Sequence, residues 1–356
     1  MFKRYHRYSV LCNFAIEYLE EMVPENIDVE KYFMPLKSYS SMNLVFERLC
    51  ETLQNKSQWP NSIKFKLRRD TISKILFEFD PYKVHWFYNE ETLFNVFKQS
   101  FEIKNPNSPK NIWRQYSRYI LSGSRFLIKF KTINEFRNFI NSFYYNKLTK
   151  ISLPVLIERK VKGLGFALSC DFLKEIGYQE YPKPDVHIKK IYSDLGFCDD
   201  EDYSSYKTIT EMADVIGESA YKVNKVLWLI SSGNFHLDEN KVEGNRDELI
   251  SNVKRLFNYM ENIESNKIYE REIEEIVKYL NIFSRDYSDY MDTTLTNLDQ
   301  ELKRDFSNNT VLAKALLTAI FREEHFIGGM LSSRIESGVV KNLMEVILNN
   351  EIKGSR

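Results

Sequence analysis

At 356 residues the chain is long enough for two domains and a substantial buried core. Apolar residues make up 43% and aromatics 14%, with few Gly and Pro, which excludes a disordered or fibrous chain and favours a folded, mostly helical one. The formal net charge is zero but segregated: residues 56–190 hold 25 Lys/Arg against 12 Asp/Glu, and the remainder 25 against 38. A basic block within an otherwise acidic chain fits a phosphate-binding face.

No apolar run approaches the roughly 18 residues needed to cross a bilayer, so no membrane partner is expected. Near the N-terminus, Glu17, Glu20 and Glu21 interrupt an apolar patch and no small-residue cleavage site follows, which argues against a signal peptide. Cys12, Cys50, Cys170 and Cys198 are far apart and show no metal spacing. Reduced thiols in a cytoplasmic protein are the expectation.

Residues 1–40 read as a helix around Val10–Met22 and an irregular Pro-containing segment, together packing on the core formed by residues 41–237. From Ser41, with Ser40 or Ser41 as candidate N-cap, the pattern Leu44, Val45, Leu49, Leu53 predicts a helix that ends in the polar run Gln54-Asn55-Lys56-Ser57-Gln58-Trp59. A basic helix is predicted over Ile63–Phe79, an aromatic-rich stretch after it, and a helix near Glu91–Phe101. Asn105-Pro106-Asn107-Ser108-Pro109 is a loop. Helices are predicted at Ile112–Leu121 and, beyond a break at Ser122-Gly123-Ser124, near Ile133–Tyr145. Between Lys104 and Lys150 there are ten basic residues and one acidic one, Glu135, and Trp113 lies among Arg114, Arg118 and Arg125, as on a base-stacking or phosphate-gripping surface.

Leu156–Gly196 then reads as helix, Gly-x-Gly turn, helix, and a Pro-rich connection to a further helix start at Asp185. In Gly163-Leu164-Gly165 the glycines permit a sharp turn and expose amides at the start of the helix Phe166–Ile176, where a phosphate is favourably placed. Asp185 comes twenty positions after Gly165, within Lys183-Pro184-Asp185-Val186-His187. Helical pieces at Thr210–Gly217 and Ala220–Ser231, with Gly233 as C′ cap, lead to a polar, acidic run at 238–245 that marks a domain boundary. Residues 246–356 form a separate helical module, in which Arg322 and His325 are candidate site residues.

Gly163, Gly165, Asp185 and His187 resemble the helix-hairpin-helix (HhH-GPD) DNA glycosylases, whose hallmark is a Gly-x-Gly hairpin followed about twenty residues later by an essential aspartate in an Asp-x-His-like sequence. The resemblance covers about residues 40–237 and implies an all-α, two-subdomain core over 41–237. It implies an enzyme that hydrolyses the N-glycosidic bond of a damaged or modified base flipped out of double-stranded DNA, in base-excision repair or against modified phage DNA. Asp185 would be its catalytic carboxylate, stabilising positive charge on the sugar and orienting or activating a water. Relatives that also cleave the backbone carry a Schiff-base lysine two positions after the second glycine; Ala167 stands there, so a monofunctional enzyme is expected.

The resemblance also implies DNA contacts from Lys162, Gly163, Leu164, Gly165, Ala167, Lys183, His187 and Lys189. It implies a monovalent cation, potassium or sodium, on the backbone carbonyls of Arg159, Val161 and Leu164, and no other cofactor. The four-cysteine cluster of some relatives is absent, so no iron–sulfur cluster is expected. Gln54, Asn55, Trp59 and Trp113 are candidates for the base pocket. Residues 312–347 resemble a small bacterial helical domain family of unknown function, which implies a separate module but transfers no activity, so protein, DNA and a second copy all stay open as its partner. The competing reading is a non-catalytic DNA-binding protein that uses the hairpin as a phosphate clamp.

Overall fold

The computed structural model describes residues 2–34, 39–56, 59–235, 237, 240–265, 267–293 and 295–350, and its fold is all-α. Among the described residues the one extended pairing is a two-residue antiparallel ladder, Asn234–Phe235 against Asn240–Lys241. The chain divides into two compact units: Asp28–Ala213 with Ser219–Lys225, and Met1–Ile27 with Asp214–Glu218 and Val226–Arg356. No helix of the described residues is long and apolar enough to cross a membrane.

Helix α1 (Arg4–Met22) opens the chain, and α2 (Met42–Gln54) starts at Ser41, whose Oγ accepts the Leu44 amide at 3.3 Å. The short α3 (Trp59–Ile63) and α4 (Phe65–Ile75) come next. The predicted basic helix ends four residues early because Phe77, Glu78 and Phe79 all adopt the left-handed conformation, at φ 53°, 54° and 57°. A run of this kind costs roughly 1–2 kcal/mol per residue. Ring packing offsets it: Phe79 lies on Phe65, and Phe77 on Phe87 and Tyr88. The aromatic-rich stretch is itself a helix, α5 (Pro81–Phe87), capped by Asp80 with Pro81 at its first position.

After α6 (Glu90–Ser100) comes the long α7 (Ile112–Leu127), which runs straight through Ser122-Gly123-Ser124 where the sequence suggested a break. The glycine serves packing rather than a turn: a Cβ at Gly123 would lie 2.7 Å from Leu49 Cδ2, so Leu49 of α2 packs onto α7 in the space a side chain would take. Helices α8 (Ile133–Tyr144), α9 (Ser152–Lys160), α10 (Phe166–Glu175), α11 (Val186–Asp194), α12 (Asp202–Ile216) and α13 (Ala220–Ser232) complete this region. Its core joins α2 through α10 around Phe46, Leu49, Tyr116, Ile120, Phe136 and Phe172.

The last third of the chain contains α14 (Arg246–Glu264), α15 (Glu270–Tyr279), α16 (Leu298–Glu301), α17 (Thr310–Phe326), α18 (Met330–Glu336) and α19 (Val339–Asn350). The sequence reading attached residues 1–40 to the 41–237 core; in the structure residues 28–40 fall in the same unit as that core and residues 1–27 in this one. Met1–Ile27 belongs with this C-terminal unit, and α1 packs on α14 and α15. Phe14 meets Tyr279 edge-on at 5.3 Å, and the Asn13 amide donates to the Tyr279 carbonyl at 2.6 Å. The buried residues of α1 run consecutively from Val10 to Cys12 and again at Phe14 and Ala15, so the helix needs partners on more than one side. Arg322 and His325 are exposed at the end of α17, whereas Glu323 between them is buried against Arg334.

Candidate nucleic-acid interface

The helix–turn–helix block of the first-named unit is formed by α9, the turn 161–165 and α10. Val161 closes α9 through its amide to the Ile157 carbonyl at 2.8 Å, and Leu164 donates back to the Val161 carbonyl at 3.3 Å. Gly163 has φ +93°, and a Cβ there would lie 2.2 Å from Cδ2 of Tyr119, so both backbone conformation and space demand glycine. Gly165 differs. Its φ of −85° suits any residue and open space surrounds the position of its missing Cβ.

Gly165 is the N-cap of α10, and no side chain caps that helix. The first amides of α10 therefore stand behind an exposed glycine at the positive end of the helix dipole. Val161, Leu164 and Phe166 are buried and anchor the turn from below, while Lys162 is exposed. The Lys162 amide donates to Ser122 Oγ at 2.8 Å, which fastens the turn to α7. Tyr119, the ring beneath Gly163, stacks on Trp59 at 5.5 Å and 12°. The Lys56 ammonium lies 5.5 Å from the Trp59 ring and 5.3 Å from that of Tyr119, and 3.3 Å from the Tyr119 hydroxyl. Trp59, one of the sequence candidates, thus belongs to the support of the hairpin.

The connection to Asp185 is pinned throughout. Tyr206 donates to the Glu180 carbonyl at 3.3 Å. The Asn224 side chain binds Lys183 twice, accepting its amide at 3.3 Å and donating to its carbonyl at 3.2 Å. The Asp185 amide then donates to the same Lys183 carbonyl at 3.0 Å. Asp185 is the N-cap of α11: its Oδ1 accepts the amides of His187 at 3.0 Å and Ile188 at 3.2 Å. Asp185 is half-buried.

Several residues expected at the site do other work. Gln54 is buried and its Oε1 accepts the Phe65 amide at 3.0 Å, so it holds the start of α4 rather than reaching a base. Trp113 is a core residue, stacked on Phe101 at 4.8 Å with Arg68 on its ring. Asn55 is the C-cap of α2, and Ser57 and Gln58 beside it lie outside the described residues. The Lys183 ammonium faces Asp171 at 3.5 Å, and that of Lys189 meets Asp202 at 3.0 Å and Asp200 at 3.8 Å; carboxylates of the chain neutralise both. The carbonyl of Val161, one of three named for a cation, already accepts the Leu164 amide with one of its lone pairs.

Sequence reasoning missed the charged cluster behind the hairpin. Asp171 is buried on α10 and holds Lys174 at 2.9 Å together with Lys183. Burial alone would push its carboxyl up, but the neighbouring Lys174, Lys183 and Arg48 cations more than reverse this and hold it well below the usual carboxylate range. Arg48 bridges Glu175 at 3.1 Å and Glu51 at 2.8 Å, joining α2 to α10. Lys225 shows the opposite effect: burial, reinforced by the Lys174 ammonium, brings it down to about 8. The only trace of this cluster in sequence is a set of charged residues at otherwise apolar helical positions.

No family model matches the chain, and no curated protein or solved structure does so either. What stands without them is the helical fold and the geometry of the turn and of Asp185.

Proposed function

We propose that the chain is a monofunctional DNA glycosylase that hydrolyses the N-glycosidic bond of a damaged or modified base flipped out of duplex DNA. The observation that carries this reading is the combination, within one unit, of an uncapped helix start behind an exposed glycine and a half-buried carboxylate on a pinned backbone. The amides of the Gly165–Ala167 turn and the exposed Lys162 bind phosphate, and a monovalent cation on the hairpin carbonyls would share it. The Oδ2 of Asp185 faces C1′ and stabilises the positive charge that builds on the sugar as the bond breaks, while orienting a water for attack. With Ala167 where a Schiff-base lysine would stand, water is the nucleophile. The segregated basic charge of residues 56–190 supports a DNA partner.

The test is mass-spectrometric detection of the base released from a panel of damaged and modified duplexes. Release by the wild type and not by Asp185→Asn supports the reading, and Asn retains the cap so the fold survives. If Asp185→Asn leaves every DNA-dependent activity intact while Gly165→Asp abolishes DNA binding, the hairpin is a non-catalytic phosphate clamp.

A further inference from the structure

A concave pocket of about 540 Å³ lies between the first turn of α4, the loop 102–111 and the first turn of α7, and it shares no residue with the hairpin. Four cations line it: Lys64, Arg68, Lys104 and Lys110. Glu102 is its one carboxylate, and among the described residues none of the four pairs with Glu102 or with any other acid. Arg69, Arg114 and Arg118, elsewhere in the basic block, are by contrast each bound by a glutamate.

The wall of the pocket is built to hold Arg68 in place. Its guanidinium lies 4.9 Å from the Phe101 ring and 5.5 Å from the Trp113 ring, and its Nη1 donates to the Ser62 and Ile63 carbonyls at 2.9 and 3.3 Å. A guanidinium fixed in this way has the rest of its planar fork available for an oxyanion, and little side-chain entropy left to lose on binding. Asn111 likewise fixes the opposite wall: it caps α7 and its Nδ2 donates to the Lys104 and Asn105 carbonyls at 2.8 and 3.1 Å, tying the lysine-bearing loop to the helix start. The dipoles of α4 and α7 add potential of the same sign. The volume falls in the range of sites that enclose a small molecule.

We propose that this pocket is a phosphate-binding site distinct from the hairpin, taking the phosphate groups either of a small nucleotide or of a nucleic-acid backbone. Four cations against the single carboxylate of Glu102 leave an excess of positive charge around one concavity, and phosphate supplies the opposite charge and the planar oxygen pairs that Arg68 recognises. The proposal does not rest on the glycosylase reading.

Binding of pyrophosphate and ATP by calorimetry, and of a short undamaged duplex by fluorescence anisotropy, tests it on the full chain. The variants are Lys104→Glu/Lys110→Glu, the conservative Lys104→Arg/Lys110→Arg, and a matched charge reversal outside the pocket, Lys129→Glu/Lys131→Glu. All these side chains are exposed, and thermal melts establish that each variant folds. The expected result is that the pocket reversal weakens one probe by about ten-fold or more while the Arg pair and the outside reversal stay within about two-fold of wild type. Loss of pyrophosphate or ATP binding identifies a small phosphorylated ligand, and loss confined to the duplex identifies the DNA backbone. Equal losses in the two charge-reversal variants, or no loss with any probe, overturns the proposal.

Discussion

The hairpin and the α4–α7 pocket present positive potential by opposite means. The hairpin does so with backbone: an uncapped helix start, an exposed glycine and one exposed lysine, with the other glycine packed against the Tyr119 ring. The pocket does so with side chains, four cations drawn from positions 64 to 110, of which Arg68 is held against rings while a capping asparagine ties the backbone of the Lys104 loop. Recognition by backbone demands particular φ angles and missing Cβ atoms, so it leaves a glycine signature at fixed spacing. Recognition by side chains leaves only an excess of charge, and chain folding alone decides which lysines converge.

The largest effect that would sharpen this contrast is at the carboxylate the hairpin serves. Asp185→Asn is expected to lower the rate of base release roughly a thousand-fold, measured in single turnovers, with little change in melting temperature. Retained release would break the link between the hairpin and chemistry. Next come the two glycines themselves. Gly163→Val adds strain at φ +93° and a clash with Tyr119, and should cost about 3 kcal/mol or more in denaturant unfolding. Gly165→Ala, in open space at an ordinary φ, should change stability by less than about 0.5 kcal/mol. Similar losses at both would mean that the two glycines do not divide structural from ligand-facing duties.

Lys225 gives the third comparison, a half-buried cation against the exposed ones of the pocket. Its folded-state value of about 8 lies below the ordinary 10.5, so between these values the unfolded chain binds more protons. Stability should therefore rise with pH from about 8 to about 10.5, and the full penalty, roughly 3 kcal/mol, applies below that window. Lys225→Met removes the rise, seen as a difference between the two chains in unfolding free energy against pH. The signature of the exposed pocket lysines is instead the ten-fold change in phosphate affinity, about 1.4 kcal/mol.

The same contrast explains how much was legible. The all-α architecture and the helix over 42–54, with its Ser41 cap, could be read from apolar periodicity. The turn at Gly163 and the helix start at Asp185 could be read from local residue chemistry, and the structure has both. Gly123 misled because glycine marks a turn and a close helix contact equally well, and only the position of Leu49 decides between them. Phe77–Phe79 misled for a related reason: aromatic packing overrides the backbone preference of three L-residues, and no pattern announces it. Gln54 looked like a ligand-facing group because polarity at a helix end is visible, whereas its partner, the Phe65 amide, is set by the turn between two helices. The attachment of α1 was invisible because a helix buried on several sides does not say which neighbours bury it.

The clamp on Lys183 has a consequence for how motion at the candidate site can be followed. Pro182 and Pro184 carry no amide hydrogen, so Pro182-Lys183-Pro184 contains a single exchangeable backbone proton, and Asn224 accepts it. That proton exchanges with solvent only when the lead-in to Asp185 detaches from Asn224. One resonance therefore reports the opening equilibrium of the segment that delivers the carboxylate. It should exchange faster in Asn224→Ala and slower when the segment is occupied by a ligand.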